Sequence, residues 1–149
     1  MKIRQANYND ISKLAELFDL YRQFYNQKSD LTGAIQYLKD RMEHGQSIIF
    51  VAEELSTGNL VGFTQLYPVF SSISMQRSYL LNDLYVKKEY RKNGIAKLLI
   101  QEAKSFTKAF QGKGLELSTS MHNTNAQSLY EKEGFLKETE FLTYFWKST

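Results

Sequence analysis

Leu84-Tyr85-Val86-Lys87-Lys88-Glu89-Tyr90-Arg91-Lys92-Asn93-Gly94-Ile95-Ala96 joins a β-rich run to an amphipathic helix through a basic turn that contains glycine. Downstream, Ile95, Leu98, Leu99, Ala103 and Phe106 recur at three- and four-residue spacing, so one apolar stripe runs along the helix. The first amides of any helix lack partners within it, and here Gly94 and Ala96 add little bulk around them. Several N–H groups can therefore face an anion such as a diphosphate. Lys87, Lys88, Arg91, Lys92 and Lys97 crowd this helix start against the single acid Glu89. The helix dipole disfavours cations at that end, which makes sense if an anion normally sits there. A solvated loop that happens to be basic fits the same residues.

Outward from this segment the chain alternates short strands and helices. Met1 to Ala6 reads as a first strand, and Asn9 and Asp10 as a helix cap. Ile11, Leu14, Ala15, Phe18, Tyr21 and Tyr25 then mark an amphipathic helix ending near Tyr25. A second helix carries Ile35, Leu38 and Met42 on one face and stops at Gly45. Ser47–Glu54 and Leu60–Tyr67 read as a hairpin about the turn Ser56-Thr57-Gly58-Asn59, with Pro68 near its end. Tyr79–Val86 is a further strand. After the long helix, Gly112-Lys113-Gly114 leads into a strand over Leu115–Ser120 and a short helix over Asn125–Lys132 that Gly134 stops. The aromatic tail from Phe135 to Trp146 reads as strand. No repeat, linker or low-complexity stretch interrupts the chain, so the expectation is one α/β domain over residues 1–149.

Composition narrows the class. With 42% hydrophobic and 23% charged residues, the chain has the balance of an ordinary globular domain. Ten Tyr, ten Phe and one Trp supply rings for a mixed sheet and a pocket. Zero Cys excludes a disulfide framework, a thiol nucleophile and a thiolate zinc site. Two histidines, His44 and His122, argue against a histidine-rich metal centre, so no metal is expected. A net charge of +3 is too small to imply nucleic acid or a membrane surface as partner. The polar, amphipathic start lacks the apolar core of a signal peptide, and cytoplasmic residence is the expectation.

A second pattern stands about 30 residues beyond the basic turn, as Asn123-Thr124-Asn125-Ala126-Gln127-Ser128-Leu129-Tyr130-Glu131-Lys132-Glu133-Gly134-Phe135. Arg91-x-x-Gly94-x-Ala96 after Leu84-Tyr85-Val86 resembles the pyrophosphate loop of the GCN5-related N-acetyltransferase (GNAT) superfamily. The later segment resembles that superfamily's second signature, Asn-x-x-Ala-x-x-Leu-Tyr-x-x-x-Gly-Phe. The two motifs occur in the right order and spacing, which makes the pair far more specific than either alone.

The resemblance implies an α/β (α+β) fold: a mixed, mostly antiparallel sheet flanked by helices and splayed where acetyl-CoA enters. Cofactor binding then falls to Arg91, Lys92, Asn93, Gly94, Ile95 and Ala96, to the backbone of Leu84, Tyr85 and Val86 at a bulge, and to Asn123. Tyr130 is implied as the general acid that protonates the departing thiolate. The implied reaction is direct attack of a primary amine through a tetrahedral intermediate, without an acyl-enzyme. Absence of Cys and of a Gly-x-Ser-x-Gly elbow agrees with that route. Terminal strands often contribute to dimers in this superfamily, so a homodimer is expected.

The acceptor side rests on fewer residues. Asn82-Asp83 interrupts an apolar strand, and a carboxylate there is costly unless paired or wetted. Asp83 is therefore a candidate to orient a cationic amine or to take its proton through water. Leu81-Asn82-Asp83-Leu84-Tyr85-Val86 looks like the strand of polyamine acetyltransferases, which commonly carry Glu-Asp at the Asn82-Asp83 positions. Tyr25, at the aromatic end of the first helix, is a candidate wall of the acceptor site, and Glu53 a candidate base. Each residue also has a plain structural reading: Tyr130 as core aromatic, Asn123 as helix cap, Asp83 as a bonded strand residue, Tyr25 and Glu53 as surface. A protein lysine or N-terminus as acceptor, and an acyl-CoA-binding module without turnover, remain the alternatives to a small-molecule amine.

Overall fold

A computed structural model describes residues Met1–Thr149. The chain divides into two compact units, Met1–Ser118 and Thr119–Thr149. In the first, β1 (Lys2–Gln5), β2 (Ile48–Glu54), β3 (Asn59–Ser71), β4 (Gln76–Val86) and β5 (Leu115–Glu116) form one sheet in chain order. Every pairing is antiparallel except that of β4 with β5. Helices α1 (Ile11–Phe24) and α2 (Leu31–Glu43) cover one face, and α3 (Ile95–Ala109) packs on β2, β3 and β4.

Alternation along the strands sorts the core. Ile49, Val51 and Phe63 join Leu14, Leu17, Phe18 and Leu38 in the cluster beneath α1 and α2. Phe50 points to the opposite face and meets Phe106 of α3, whose ring also abuts Tyr79, both with centroids 5.5 Å apart. Side chains of this kind stabilise by roughly 1.5–3 kcal/mol each on full burial, which is what holds helices to both faces.

Local chemistry explains the helix ends, with one correction. The cap expected at Asn9 and Asp10 lies earlier: the Asn7 side chain accepts from the Asn9 amide and Asp10 reaches back to the Asn7 amide. That box closes a 3-10 turn over Tyr8–Asp10, which leads into α1. Asp30 caps α2 through the Gly33 amide at 2.9 Å. The buried Asp19 ties the intervening loop to α1 by accepting from Ser29 Oγ at 2.6 Å and from the Asp30 amide at 2.8 Å.

Several strand boundaries differ from the sequence expectation, and β4 starts at Gln76 rather than Tyr79. β3 runs to Ser71 and takes Pro68 inside it. The pairing with β2 has ended at Leu66, so Pro68 sits where β3 is no longer flanked on that side and no ladder bond is lost. β5 keeps only two of the six residues expected from Leu115–Ser120. The tail expected as strand from Phe135 to Trp146 contains no strand.

The second unit is organised by α4 (Thr124–Lys132). Asn123 caps it by accepting from the Ala126 amide at 3.1 Å. At the far end Gly134 adopts φ +88, the Gly134 amide donates to Glu131 O at 3.1 Å, and the Phe135 amide to Tyr130 O at 3.0 Å. That pair of bonds is a Schellman ending, and the Tyr130 and Phe135 rings, 6.0 Å apart, supply its usual apolar contact.

Arg4 holds the sheet edge to the helix entry. Its guanidinium takes both oxygens of Asp10 at 2.8 Å and, through Nε, Glu53 Oε2 at 2.7 Å. The Arg4 hydrogen bond holds the Asp10 carboxyl below its usual range. A group depressed in this way stabilises the fold above its unfolded pKa, and the contribution disappears as the pH falls through the folded value. Arg4→Met is expected to cost roughly 2–3 kcal/mol at neutral pH, because Asp10 loses a charge-assisted pair in a buried setting. Urea unfolding should show that cost shrinking toward acid pH, where Asp10 is protonated in both variants.

Candidate active site

The site begins where β4 loses its outer neighbour. β5 pairs only with Tyr79 and Leu80, so Leu81–Val86 have a strand partner on the β3 side alone. Within that open segment, Gln65 faces Asp83 and Leu66 faces Leu81, so Asn82 is the extra residue of a β-bulge. A bulge bends its strand and re-aims side chains. Asn82 turns outward while Asp83 is driven into the sheet, only 2% exposed, on the face under α1 and α2.

Asp83 is surrounded by polar and aromatic groups. Its Oδ2 accepts from Gln65 Nε2 and its Oδ1 from Asn82 Nδ2 at 2.8 Å. Gln65 is itself wholly buried and its Oε1 has no partner in the chain. The Tyr21 hydroxyl donates to the neighbouring Asn82 carbonyl at 3.4 Å. Tyr67 and Tyr37 share a hydroxyl–hydroxyl bond of 2.8 Å. Burial pushes the Asp83 carboxyl up, against the opposing pull of the Gln65, Asn82 and Tyr21 hydrogen bonds. Burial also pushes the Tyr67 hydroxyl up, with the nearby Asp83 charge adding to it. A carboxylate accepts at about four lone-pair positions, and the side chains described fill only part of that capacity.

Aromatic rings connect this cluster to the basic turn. Tyr21 stands 5.2 Å from Tyr25 and 6.4 Å from Tyr85. Phe24 and Tyr85 both lie against the Arg91 guanidinium, 5.6 and 5.5 Å away. Arg91 Nε donates to Val86 O at 2.8 Å, so this side chain folds back and fastens the turn to the end of β4. Lys92 (φ +63) and Gly94 (φ +76) both take left-handed backbone. Asn93 Nδ2 donates to Tyr90 O at 3.2 Å.

The helix start is left open. Gly94 is the N-cap of α3 and has no side-chain cap bond. The first helical bond is from the Leu98 amide to Gly94 O at 3.1 Å, so the amides of Ile95 and Ala96 have no helical acceptor. A Cβ built on Gly94 would meet nothing within 4 Å, so open space lies beside those amides. Donor N–H groups, a bare backbone and surrounding lysines suit a phosphate-bearing ligand.

Leu84, Tyr85, Val86, Arg91, Lys92, Asn93, Gly94, Ile95 and Ala96 thus form one continuous stretch of strand, turn and helix start, with Asp83 and Tyr25 alongside. Glu53 is not brought to it. Its carboxylate is taken by Arg4, and its strand position lies four residues along β2 from Ile49, the neighbour of Gln65. A role as acceptor-side base is therefore withdrawn. Tyr130 and Asn123 belong to the second unit, where Asn123 does act as a cap. Gln65, Tyr67 and Tyr37 were not anticipated. Their signal was the polar pair Thr64-Gln65 inside an apolar strand, the same interruption that marked Asn82-Asp83.

A model of the acetyltransferase (GNAT) family matches residues 14–135, most of the chain. The protein belongs to the GNAT family of acetyltransferases. This GNAT chain is 47% identical over 144 residues to a Bacillus subtilis (strain 168) protein named uncharacterized N-acetyltransferase YhfO, covering 97% of this chain and 95% of the relative. A probable acetyltransferase of Haemophilus influenzae is 32% identical over 135 residues, covering 91% and 90%. Among solved structures, the crystal structure of a probable acetyltransferase matches at TM-score 0.95 and 37% identity, covering 100% of this chain and 99% of that one. The open, mostly antiparallel sheet and its flanking helices are the GNAT fold. No helix of this GNAT enzyme is long and apolar enough to cross a membrane.

The elevated Asp83 carboxyl has a consequence for stability. A carboxyl raised in the folded state stabilises the fold while protonated and withdraws that stability as the pH rises through its folded value. Asp83→Asn is expected to match the parent in acid and to exceed it increasingly toward alkaline pH. Denaturant midpoints compared across that range check the sign; a variant that is less stable at high pH contradicts it.

Proposed function

We propose that this acetyltransferase uses acetyl-CoA and transfers the acetyl group to a primary amine of a small molecule. The observation that carries the reading is the open edge of β4, where the buried carboxylate of Asp83, with unfilled acceptor capacity, precedes in the chain an uncapped, lysine-rich helix start at Gly94. The turn from Arg91 to Ala96 would hold the diphosphate through backbone amides, with Gly94 leaving room for it. Arg91 acts on that turn from behind, through Val86, rather than as a free cation. The outward-facing backbone of Leu84–Val86, with no outer strand and with Val86 O already taken by Arg91, would hydrogen-bond the pantetheine arm and polarise the thioester carbonyl.

Asp83 would orient the amine through its unfilled lone pairs and draw its proton off directly or through water. A carboxyl raised by burial is better matched to that task than an exposed one. Tyr21, Tyr25, Tyr67 and Tyr85 would wall the acceptor with rings and hydroxyls, which suits a compact aminoalkyl compound. The amine nitrogen attacks the carbonyl carbon, the C–N bond forms and the C–S bond breaks. Tyr130 would give its hydroxyl proton to the leaving thiolate. Most of the acceleration would come from placing the two reactants together.

A free-thiol assay with acetyl-CoA and a panel of polyamines, amino acids, aminoglycosides and basic peptides tests this, with no background from the cysteine-free protein. Amine-dependent CoA release with a small amine supports the reading. Release with basic peptides alone moves the acceptor to protein. Acetyl-CoA binding without release across the panel favours a binding module.

Two substitutions separate the parts. Gly94→Glu, which puts bulk and negative charge over the helix start, is expected to abolish acetyl-CoA binding by calorimetry while circular dichroism stays unchanged. Tyr130→Phe is expected to lower kcat at least tenfold, a barrier increase of about 1.4 kcal/mol, with cofactor affinity nearly intact. Unchanged turnover removes Tyr130 from the chemistry.

A further inference from the structure

Gln65 is fully buried, yet the chemistry proposed above gives it no task. It stands on β3 directly across from Asp83, with the apolar Ile49 as its neighbour on β2. One end of its amide is used and the other is not. Nε2 donates to Asp83 Oδ2, while Oε1 is buried without a partner in the chain. A buried acceptor left unmade costs stability that an apolar residue of the same shape would spare.

The surroundings of Asp83 show what the used end does. Tyr21 comes from α1, Tyr37 from α2, Gln65 and Tyr67 from β3, and Asn82 and Tyr85 from β4 itself. None of these is a cation, so hydrogen bonds must hold the ionised carboxylate against the burial that favours its protonated form. Asn82 is exposed at the bulge, where water can stand in for its amide. The Tyr21 hydroxyl is drawn also to the Asn82 carbonyl at 3.4 Å. Gln65, with no exposed surface, is the donor that bulk water cannot replace. The same charge fixes which way its amide lies, because the reverse would set Oε1 against a carboxylate oxygen. Nε2 stays on Asp83, and Oε1 is the free acceptor of the pair.

We propose that Gln65 positions both partners of the proton transfer: its amide N–H keeps the Asp83 carboxylate ionised and aimed, and its carbonyl oxygen receives a second N–H of the protonated acceptor amine. The inference rests on the role given to Asp83 above. A primary ammonium carries three N–H donors, and Asp83 with Gln65 presents it with two acceptors. Asp83 then takes one proton from the nitrogen, whose lone pair is freed for the thioester carbonyl. Gln65 keeps its bond to an N–H that remains, and itself neither gains nor loses a proton.

Gln65→Met separates these roles from simple packing. It keeps the length of the side chain and removes both ends of the amide, including the orphaned acceptor. Deleting a donor that favours the ionised form raises the pH at which Asp83 loses its proton. Carbon-13 NMR titration of the Asp83 carboxyl, assigned by comparison with Asp83→Asn, reads that shift without any turnover. The midpoint should rise by about one pH unit or more in Gln65→Met. Asn82→Ala, which removes an exposed donor, should move it less. Gln65→Asn, whose amide falls one methylene short of Asp83, supplies the same comparison if Met is not tolerated in the sheet. An unchanged midpoint in the folded variant overturns the proposal, whatever reaction the enzyme performs.

Kinetics with a small amine that the enzyme acetylates test the other end. The acid limb of kcat should move to higher pH with the NMR midpoint, and kcat should recover on the alkaline side, where Asp83 is ionised in parent and variant alike. KM for the amine should stay raised by about tenfold there, the share of the lost carbonyl. A kcat depressed equally at every pH would make Gln65 a packing residue and overturn the proposal. An unchanged KM would overturn the part given to its carbonyl. A raised midpoint in a protein that acetylates no amine would support the hold on Asp83 and place the failure in the proposed function instead.

Discussion

Backbone hydrogen bonding on β4 is the constraint on which the rest of this structure depends. A strand inside a sheet satisfies its N–H and C=O groups on both sides, and β4 does so only up to Leu80. Beyond that point the outer edge is open from Leu81 to Val86, and the chain then turns into an uncapped helix. Unsatisfied backbone of this kind is costly to bury, so it must face water or a ligand. An acyltransferase that works by positioning gains from such an edge, because its donors are already aimed and rigid before any substrate arrives.

Around that edge the side chains do one of two things. Some keep the scaffold still: Arg91 ties the turn to Val86, Phe24 and Tyr85 lie against its guanidinium, and Thr64 holds the Asp83 carbonyl at 2.8 Å. Others store polarity in the sheet at a cost. Asp83 and Gln65 are buried where hydrophobic residues would pack more favourably, and the Gln65 oxygen has no partner. Buried groups of this sort are expected where function outweighs stability. The Arg4–Asp10–Glu53 network is polar too, yet it is internally matched and belongs to the scaffold.

Much was legible in the residues because the deciding physics was local. Apolar spacing marked α1, α2 and α3, and Gly94 and Gly134 marked backbone that only glycine adopts without strain. The second motif could be read on two levels: Asn123 and Gly134-Phe135 are the cap and the Schellman stop of one helix, whatever else they do. The misreadings fell where the answer lay across the sheet. Glu53 was attractive as a free carboxylate until Arg4, 49 residues earlier, was seen to hold it. Gln65 and Tyr67 were missed because their neighbours, Asp83 and Tyr37, come from other elements.

By itself, then, the sequence determined the helices, most strands, the open glycine turn and the membership in an acetyltransferase family, since caps, periodicity and short motifs act within a few residues. Only the tertiary structure decided the bulge at Asn82, the burial of Asp83 against Gln65, the capture of Glu53 by Arg4 and the absence of a strand in the tail. Each of these depends on which backbone lies alongside. A β-strand has no hydrogen bonds of its own, so Phe135–Trp146 can have strand composition without being a strand.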